Sequence, residues 1–152
     1  MSPDGCIRKG ELRDARLITA FNVAMAQETE HRQLDPERVL AGVKAILKDP
    51  HKGFFLLAER NSRIVGQLMI TFEWSDWRNG NFWWIQSVYV APDQRGLGIF
   101  SDLYRHVGDL ARLRKDVAGL RLYVEKNNDR ARRIYENLGM SESFYALYEL
   151  EF

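Results

Sequence analysis

The stretch from Phe82 to Val124 constrains the fold more than any other part of the chain, because its apolar periodicity changes twice. Phe82–Val90 is rich in aromatic and β-branched residues, which predicts a buried, central strand. Apolar residues then recur at helical spacing from about Phe100 to Arg114, and they alternate with polar residues from Leu120 to Val124. A strand, a helix and a strand in this order predict a parallel crossover unit.

The rest of the chain predicts further strands and helices around this unit. Strands are predicted where short apolar or alternating runs occur, at Ile7–Leu12, Phe54–Ala58, Ile64–Phe72 and Phe144–Phe152. Helices are predicted where a capping residue precedes apolar residues at helical spacing, after Asp14, after Asp35-Pro36 and after Asn128. The predicted class is therefore mixed α/β: a mostly antiparallel sheet with one parallel strand–helix–strand crossover and about four helices.

Composition narrows the protein class. The 152 residues are 45% hydrophobic and 28% charged, as in ordinary globular proteins, and no linker or repeat divides them, so we expect one domain over residues 1–152. The net charge of +1 gives no bulk reason to expect a nucleic acid or an anionic membrane as partner. Residues 1–16 lack the apolar run of a secretion signal, and Cys6 has no cysteine partner within the chain. We therefore expect a cytoplasmic protein.

The loop Asp93–Ser101, between the central strand and its helix, carries the clearest chemical signal. Gly96 and Gly98 let main-chain N–H groups point outward, and the helix start adds further unpaired N–H groups and a positive dipole end. This combination suits a diphosphate, and Arg95 adds charge. A plain glycine-bearing turn is the alternative. No Gly-Lys-Ser/Thr follows, so the loop is not predicted to be a P-loop of an ATPase or GTPase. Ser101 stands where the dinucleotide-binding fingerprint has its third glycine, so a dinucleotide site is not predicted either.

Two sequence blocks carry a resemblance to a known family. Val88–Gly98 resembles the acetyl-CoA signature of the GNAT acetyltransferase superfamily: arginine or glutamine, two residues, glycine, one residue, then glycine or alanine. Arg95 and Gly98 match it, whereas Phe100 occupies its final small position. Asn128–Met140 resembles the family's later motif of Asn, Ala, Tyr and Leu-Gly-Phe/Met. Because both blocks lie on the expected strand–helix–strand–helix frame, the chain is identified as a member of this superfamily over essentially its whole length.

The resemblance implies acetyl-CoA as cosubstrate and assigns residues to it. The main chain of Val88, Tyr89 and Val90 would pair with the pantetheine arm like an extra strand. The pyrophosphate would be held beside Arg95 by the loop residues Gly96, Leu97, Gly98, Ile99, Phe100 and Ser101. Asn128 would hydrogen-bond the pantetheine.

The resemblance implies less about catalysis. Tyr135 would lie near the thioester sulfur and protonate the departing thiolate, although periodicity alone would explain it as a core aromatic residue. Some relatives have a glutamate in the central strand where this chain has Gln86, which can position a water but cannot accept a proton at useful pH. Residues near predicted element ends are candidate bases, although each is better explained as a solvated surface residue: Glu28, Glu30, His31, Glu73 and Asp76.

The predicted function is N-acetylation of a primary amine, on a small molecule or a peptide, by direct transfer in a ternary complex. Glu28–Asp35 and Glu73–Trp77 faintly resemble the spermidine/spermine acetyltransferase branch, and acidic and aromatic side chains suit a cationic amine. Burial in a core or a dimer interface explains the tryptophans equally well: Trp74, Trp77, Trp83 and Trp84. No histidine or cysteine spacing predicts a metal site, and the family implies a homodimer. The alternative function is a non-catalytic acyl-CoA sensor or interaction module.

Overall fold

Five strands form one sheet in the computed structural model, which describes residues 5–152. In spatial order the strands are β1 (Gly5–Lys9), β2 (Phe54–Arg60), β3 (Arg63–Ser75), β4 (Gly80–Val90) and β5 (Val117–Leu122). Neighbours from β1 to β4 pair antiparallel, and β4 pairs with β5 in parallel. The mixed α/β class and the single parallel crossover predicted from the sequence are confirmed.

Helices cover both faces of this sheet. They are α1 (Ala15–Glu30), α2 (Pro36–Lys48), α3 (Ile99–Arg112) and α4 (Asp129–Asn137). Alternate residues of β2 point to opposite faces: Phe55 and Leu57 pack with α1 and α2, whereas Leu56 packs with α3. Trp83 packs on the face of the sheet that α3 covers, and 5% of its surface is exposed, so this tryptophan belongs to the core.

The predicted cap of α2 is confirmed, whereas the residue predicted to cap α1 makes other contacts. Asp35 precedes Pro36, and its side-chain Oδ1 accepts a hydrogen bond of 3.0 Å from the Glu37 N–H. Asp14 precedes α1, but its carboxylate accepts hydrogen bonds of 2.8 and 2.9 Å from Arg8 and one of 2.8 Å from the Glu11 N–H. The carboxylate therefore joins β1 to the turn before α1 and does not cap α1 itself.

The predicted strand Phe144–Phe152 is wrong. Within residues 5–152, the backbone of this segment pairs with no other strand, although its side chains alternate as in a strand. Large exposed side chains there are Phe144, Tyr145, Leu147, Tyr148, Leu150 and Phe152. An alternating sequence shows which face of a strand would be apolar. A strand also needs a second strand to pair with, and the alternating sequence does not specify one.

Candidate active site

The loop after β4 presents main-chain N–H groups to solvent. Gly96 and Gly98 have φ angles of 77° and 79°, in the left-handed region that favours glycine, and Gly98 immediately precedes α3. Within the described part of the chain, the six N–H groups from Gly96 to Ser101 have no hydrogen-bond acceptor. Unpaired N–H groups and the N-terminal end of the α3 dipole suit an anion, so residues 96–101 are called here the candidate anion-binding loop.

The start of α3 is held firmly against the sheet. Ile99 and Leu103 are buried, and a Cβ atom at Gly66 on β3 would lie 2.8 Å from Ile99 Cγ2. Any larger residue at Gly66 would therefore force the Ile99 side chain to shift. The close approach places the N–H groups of the loop at the carboxyl end of β4.

One edge of β4 is open next to this loop. Pairing between β4 and β5 ends at Ile85 and Leu122, whereas pairing between β4 and β3 continues to Val90. Across the residues that the structure describes, the β5-facing edge of residues 86–90 has no strand partner. An extended ligand can hydrogen-bond this edge as an added strand, and the edge leads directly to the anion-binding loop.

A β-bulge shapes the same edge. The register between β3 and β4 shifts beside Ser87, whose φ angle is 50°. Gln67 is fully buried, and its Nε2 donates hydrogen bonds of 3.2 Å to the Ser87 carbonyl and 2.7 Å to Asn22 Oδ1 on α1. The buried amide therefore joins the bulge to α1. Gln67 belongs to neither sequence motif; its local signal is a polar residue inside the apolar run Ile64–Phe72.

An ion-pair cluster connects α1 to the end of β4. Glu28 Oε2 accepts a 2.7 Å hydrogen bond from Arg95 Nη2, and Oε1 accepts one of 3.0 Å from the Tyr89 hydroxyl. Arg95 Nε also donates to the Val90 carbonyl at 2.9 Å. The hydrogen bond from Arg95 lowers the pKa of Glu28, while burial and then the Glu28 interaction raise the pKa of Tyr89. Glu28 is thus an anion that orients Arg95 and is poorly suited to accept protons.

Gln86 and Glu73 lie on the sheet face that α1 and α2 leave partly open. Gln86 Nε2 donates a 2.6 Å hydrogen bond to Thr71 Oγ1 on β3. Glu73 forms an ion pair with Arg121 on β5, and the Arg121 guanidinium lies 3.7 Å from the centre of the Phe82 ring. The proposed base Glu73 therefore already has a cationic partner.

Tyr135 lies on α4 beside the start of α3, and Asn128 is the residue that precedes and caps α4. The Tyr135 ring contacts the Phe100 ring edge-to-face at 5.8 Å, and burial raises the pKa of its phenol. Asn128 Oδ1 accepts a 3.0 Å hydrogen bond from the Ala131 N–H, so the predicted cap of this helix is confirmed. Phe100 thus links the anion-binding loop to the proposed acid.

The family comparison agrees with this geometry. The model of the acetyltransferase (GNAT) family matches residues 17–140. The chain belongs to the GNAT family. Acetyl transfer is the reaction of this family, and its fold has the same mixed sheet and helices.

Individual relatives of this GNAT chain support the assignment. A crystal structure of a possible acetyltransferase from Clostridium difficile 630 superimposes with a TM-score of 0.92 at 43% identity and covers 97% of both chains. Mycothiol acetyltransferase from Corynebacterium aurimucosum is 30% identical over 131 residues, 84% of this chain and 43% of that protein. Thialysine N-epsilon-acetyltransferase from Bos taurus is 35% identical over 79 residues, 52% of this chain and 45% of that protein. The chain thus spans less than half the length of these two curated relatives.

The remaining candidates in this GNAT chain lie apart from the cluster. Glu30, His31 and Asp76 are exposed, His31 at the end of α1 and Asp76 in the turn between β3 and β4. Trp74 and Trp77 are also exposed near that turn, whereas Trp84 packs against Tyr123 with ring centres 4.4 Å apart. Over residues 5–152, no group of three His, Cys, Asp or Glu side chains is arranged to hold a metal ion. No helix in the same range is long and apolar enough to cross a membrane.

Proposed function

We propose that residues 1–152 act as one N-acetyltransferase domain that moves an acetyl group from acetyl-CoA to a primary amine of a small molecule, in a ternary complex. The observation that carries this proposal is the open edge of β4 leading into the unpaired N–H groups from Gly96 to Ser101. An extended amide chain that ends in a diphosphate matches both features at once. Pantetheine with its pyrophosphate is such a ligand.

The residues present fit this cosubstrate. The main-chain groups of Val88, Tyr89 and Val90 offer the strand edge, and Gly96–Ser101 offer the anion site. The side-chain amide nitrogen of Asn128 is available to a pantetheine carbonyl while its Oδ1 caps α4. Arg95, held by Glu28, adds positive charge where β4 meets the loop.

Proton handling falls to side chains on β4 and α4. Acetyl-CoA supplies the acetyl group as a thioester. The ordinary pKa of a tyrosine phenol, about 10, is already above neutral pH, and burial raises it further. Tyr135 is therefore protonated and can donate its proton to the sulfur as the thiolate leaves. Deprotonating a lysine-like amine at pH 7 costs roughly 4.6 kcal/mol. Gln86 cannot accept this proton itself, but its side-chain oxygen can orient a water molecule that accepts it.

The acceptor site has the chemistry of a cation site. Glu73, Phe82 and Trp84 share the sheet face beside Gln86, with Trp74 and Trp77 close along the chain. Carboxylates and aromatic faces both attract an ammonium group. At Glu73 and Phe82 the ammonium group would replace the Arg121 guanidinium, which contacts both side chains. The bovine relative is named for transfer to the ε-nitrogen of thialysine, which is an amine of this kind. We therefore place lysine analogues and polyamines first among acceptors.

Thiol release from acetyl-CoA tests the proposal. The purified protein is assayed with thialysine, lysine, spermidine and α-amino compounds, and each is paired with an analogue whose amines are all N-methylated to tertiary amines, which cannot form a stable amide. We expect release above background with at least one primary amine and none with its dimethyl control. Acetyl-CoA binding without release across the panel would favour a sensor or interaction module instead. Absence of binding to folded protein would remove both functions.

A further inference from the structure

One strip of the sheet face opposite α3 is lined by aromatic and polar side chains that stay accessible. On β4, Trp83 and Ile85 pack in the core that α3 covers. Alternation along the strand therefore points Phe82, Trp84 and Gln86 to the opposite face, where each is partly exposed. The proposed acceptor site lies here, with Gln86 at its catalytic end. This part of the sheet is called here the acceptor strip.

An ion pair crosses the acceptor strip above Phe82. Arg121 of β5 reaches across β4, donates a hydrogen bond from Nη1 to Glu73 Oε1 on β3, and places its guanidinium 3.7 Å from the centre of the Phe82 ring. The two side chains are 33% and 44% exposed. Within residues 5–152, Nε and Nη2 of Arg121 and Oε2 of Glu73 have no hydrogen-bond partner. The pair therefore offers a ligand both free donors and a free acceptor.

The Phe82 end of the strip carries more positive than negative charge. The guanidinium of Arg78, in the turn between β3 and β4, lies 4.9 Å from the centre of the same ring. Arg78 donates to the Ser75 hydroxyl at 3.4 Å, and in the described part of the chain it pairs with no carboxylate. Two guanidinium groups thus share one carboxylate, that of Glu73. A ligand that brings a carboxylate of its own would balance this charge.

A lone ammonium group and an amino acid affect this ion pair differently. An ammonium group that takes both Glu73 and the Phe82 ring displaces the Arg121 guanidinium and leaves it without a counterion, which is unfavourable for a partly buried charge. An amino acid places its carboxylate on the free N–H groups of Arg121 and its α-ammonium group on the free oxygen of Glu73. Every charge then has an opposite neighbour, and the ion pair stays intact.

The strip also has the length of a lysine-like amino acid. Phe82 and Gln86 lie about 13 Å apart along β4, at about 3.3 Å per residue. From its carboxyl carbon to its side-chain nitrogen, lysine has as many bonds as two residues of extended main chain, so it extends about 7 Å. A hydrogen bond of about 2.9 Å at each end brings this length to about 13 Å. An amino acid held at Arg121 therefore presents its side-chain amine to the water that Gln86 orients.

Aromatic rings line the middle of the strip. Trp84 lies beside Arg121 in the register of β4 and β5, and its ring centre is 4.4 Å from that of Tyr123. The methylene or thioether segment of a lysine-like side chain can pack on these rings. The strip is thus charged at one end, apolar in the middle and polar at Gln86, in the same order as such an amino acid.

We propose that the acceptor is an amino acid with a side-chain amine, such as lysine or thialysine, and that Arg121 selects it over polyamines by binding its α-carboxylate. This inference rests on the proposed function and narrows its substrate class. The side-chain nitrogen bonds to the acetyl carbon as the bond from that carbon to sulfur breaks. The amine proton passes to the water at Gln86, and Tyr135 protonates the thiolate. The α-amine, held at Glu73, stays unmodified.

Matched acceptors test this inference in the wild-type protein. Lysine is compared with cadaverine, and thialysine with decarboxylated thialysine, because each pair differs only in the carboxylate. Thiol release should give a kcat/KM at least about tenfold higher for the amino acid, mainly through a lower KM, as expected for a charge-assisted hydrogen bond. The product should carry the acetyl group on its side-chain nitrogen. An equal or higher kcat/KM for the diamines would overturn the inference and leave acetyl transfer itself established.

Variants of Arg121 test its role directly. Arg121→Gln should lower kcat/KM for lysine at least about tenfold and leave that for cadaverine nearly unchanged. Arg121→Lys keeps the charge without the planar fork, so it should keep part of the preference, and it carries the test if the Gln variant does not fold. Arg112→Gln, which removes the same charge from an exposed ion pair on α3, should keep the full preference. An equal loss with both acceptors would make Arg121 a structural residue and overturn the inference.

Acceptor binding separates this inference from the proposed function. Tryptophan fluorescence follows a titration with lysine or cadaverine without any acetyl transfer, since Trp84 lies beside Arg121. Lysine should bind the wild-type protein more tightly than cadaverine, and the Arg121→Gln variant should bind both equally. This binding pattern without thiol release from any amine would refute acetyl transfer and keep the carboxylate site. Equal binding of both acceptors by the wild-type protein would refute the carboxylate site whatever the activity.

Discussion

The two sides of the candidate active site are held in different ways. The β4–α3 side is anchored by its own chain: Ile99 and Leu103 are buried, and Gly66 lets α3 approach β3. The α4 side has no buried residue in its helix and is joined to α3 by the contact between Phe100 and Tyr135. Cosubstrate binding should therefore depend on local backbone geometry, whereas catalysis should also depend on what packs beside α4.

The largest effect is expected at the anchored side. Gly98→Asp should abolish acetyl-CoA binding, because it places a carboxylate at the anion site in a residue with a φ angle of 79°. Isothermal calorimetry measures the loss. Gly98→Asn is the matched control: asparagine tolerates this backbone conformation better and has no charge, so it should bind more weakly than wild type but measurably. Equal affinity of the Asp variant and wild type would mean that the loop holds no anion.

On the α4 side, a substitution should strongly lower the rate of acetyl transfer without changing acetyl-CoA binding. Tyr135→Phe keeps the ring that contacts Phe100 and removes the proton donor, so the transfer rate should fall about 100-fold. The acetyl-CoA dissociation constant should stay within about twofold of wild type. Steady-state thiol release and calorimetry measure the two quantities. An unchanged rate would remove the phenol from the mechanism and leave Tyr135 as a packing residue.

The bulge next to the β4 edge should affect stability first. Gln67→Leu removes both hydrogen bonds of the buried amide and leaves the Ser87 carbonyl without this donor, which should lower the free energy of unfolding by about 1–3 kcal/mol. Acetyl-CoA affinity should fall as well, since the bulge orients the edge. Asn22→Ala removes only one of the two hydrogen bonds and serves as control. Denaturant unfolding and calorimetry distinguish the variants; a Gln67→Leu protein with unchanged affinity would show that the edge does not need the buried amide.

The smallest effect, on the free energy of unfolding, is expected at the ion pair between Arg8 and Asp14, far from both sides of the candidate active site. Hydrogen bonds from Arg8 lower the pKa of Asp14 below its ordinary value of 3.8, so the carboxylate stabilises the fold above that pH and loses this contribution as pH falls through the lowered pKa. Asp14→Asn should lower the free energy of unfolding at pH 7 by roughly 1 kcal/mol. The difference from wild type should shrink below pH 4.

Urea unfolding at pH 7 and pH 3 measures this difference. Asp49→Asn is the control, because Asp49 forms an exposed ion pair with Lys52 and should contribute little. Acetyl-CoA binding should be unchanged in both variants. A constant difference between Asp14→Asn and wild type across this range would show that the ion pair does not titrate as stated.

Local sequence was sufficient where local chemistry decides the structure. The crossover from β4 through α3 to β5 follows from periodicity, the start of α2 follows from Asp35-Pro36, and the left-handed turn after α4 follows from Gly139. Interactions between distant residues were not predictable in the same way. Gln67 meets Ser87 and Asn22 across two other elements, and nothing local to Gln67 specifies either partner.

The C-terminal segment, residues 144–152, shows the limit most clearly. Its alternation correctly describes a strand with one apolar face, yet the strand Phe144–Phe152 does not form within residues 5–152, because strand formation requires a paired backbone. Periodicity, capping residues and glycine positions are properties of neighbouring residues, so the sequence by itself determined the elements from β1 to α4, their order and the glycine loop before α3. Only the tertiary structure decided that β4 separates from β5 after Ile85, that Glu28 orients Arg95 and that residues 144–152 pair with no strand within residues 5–152, since each of these depends on where distant segments meet.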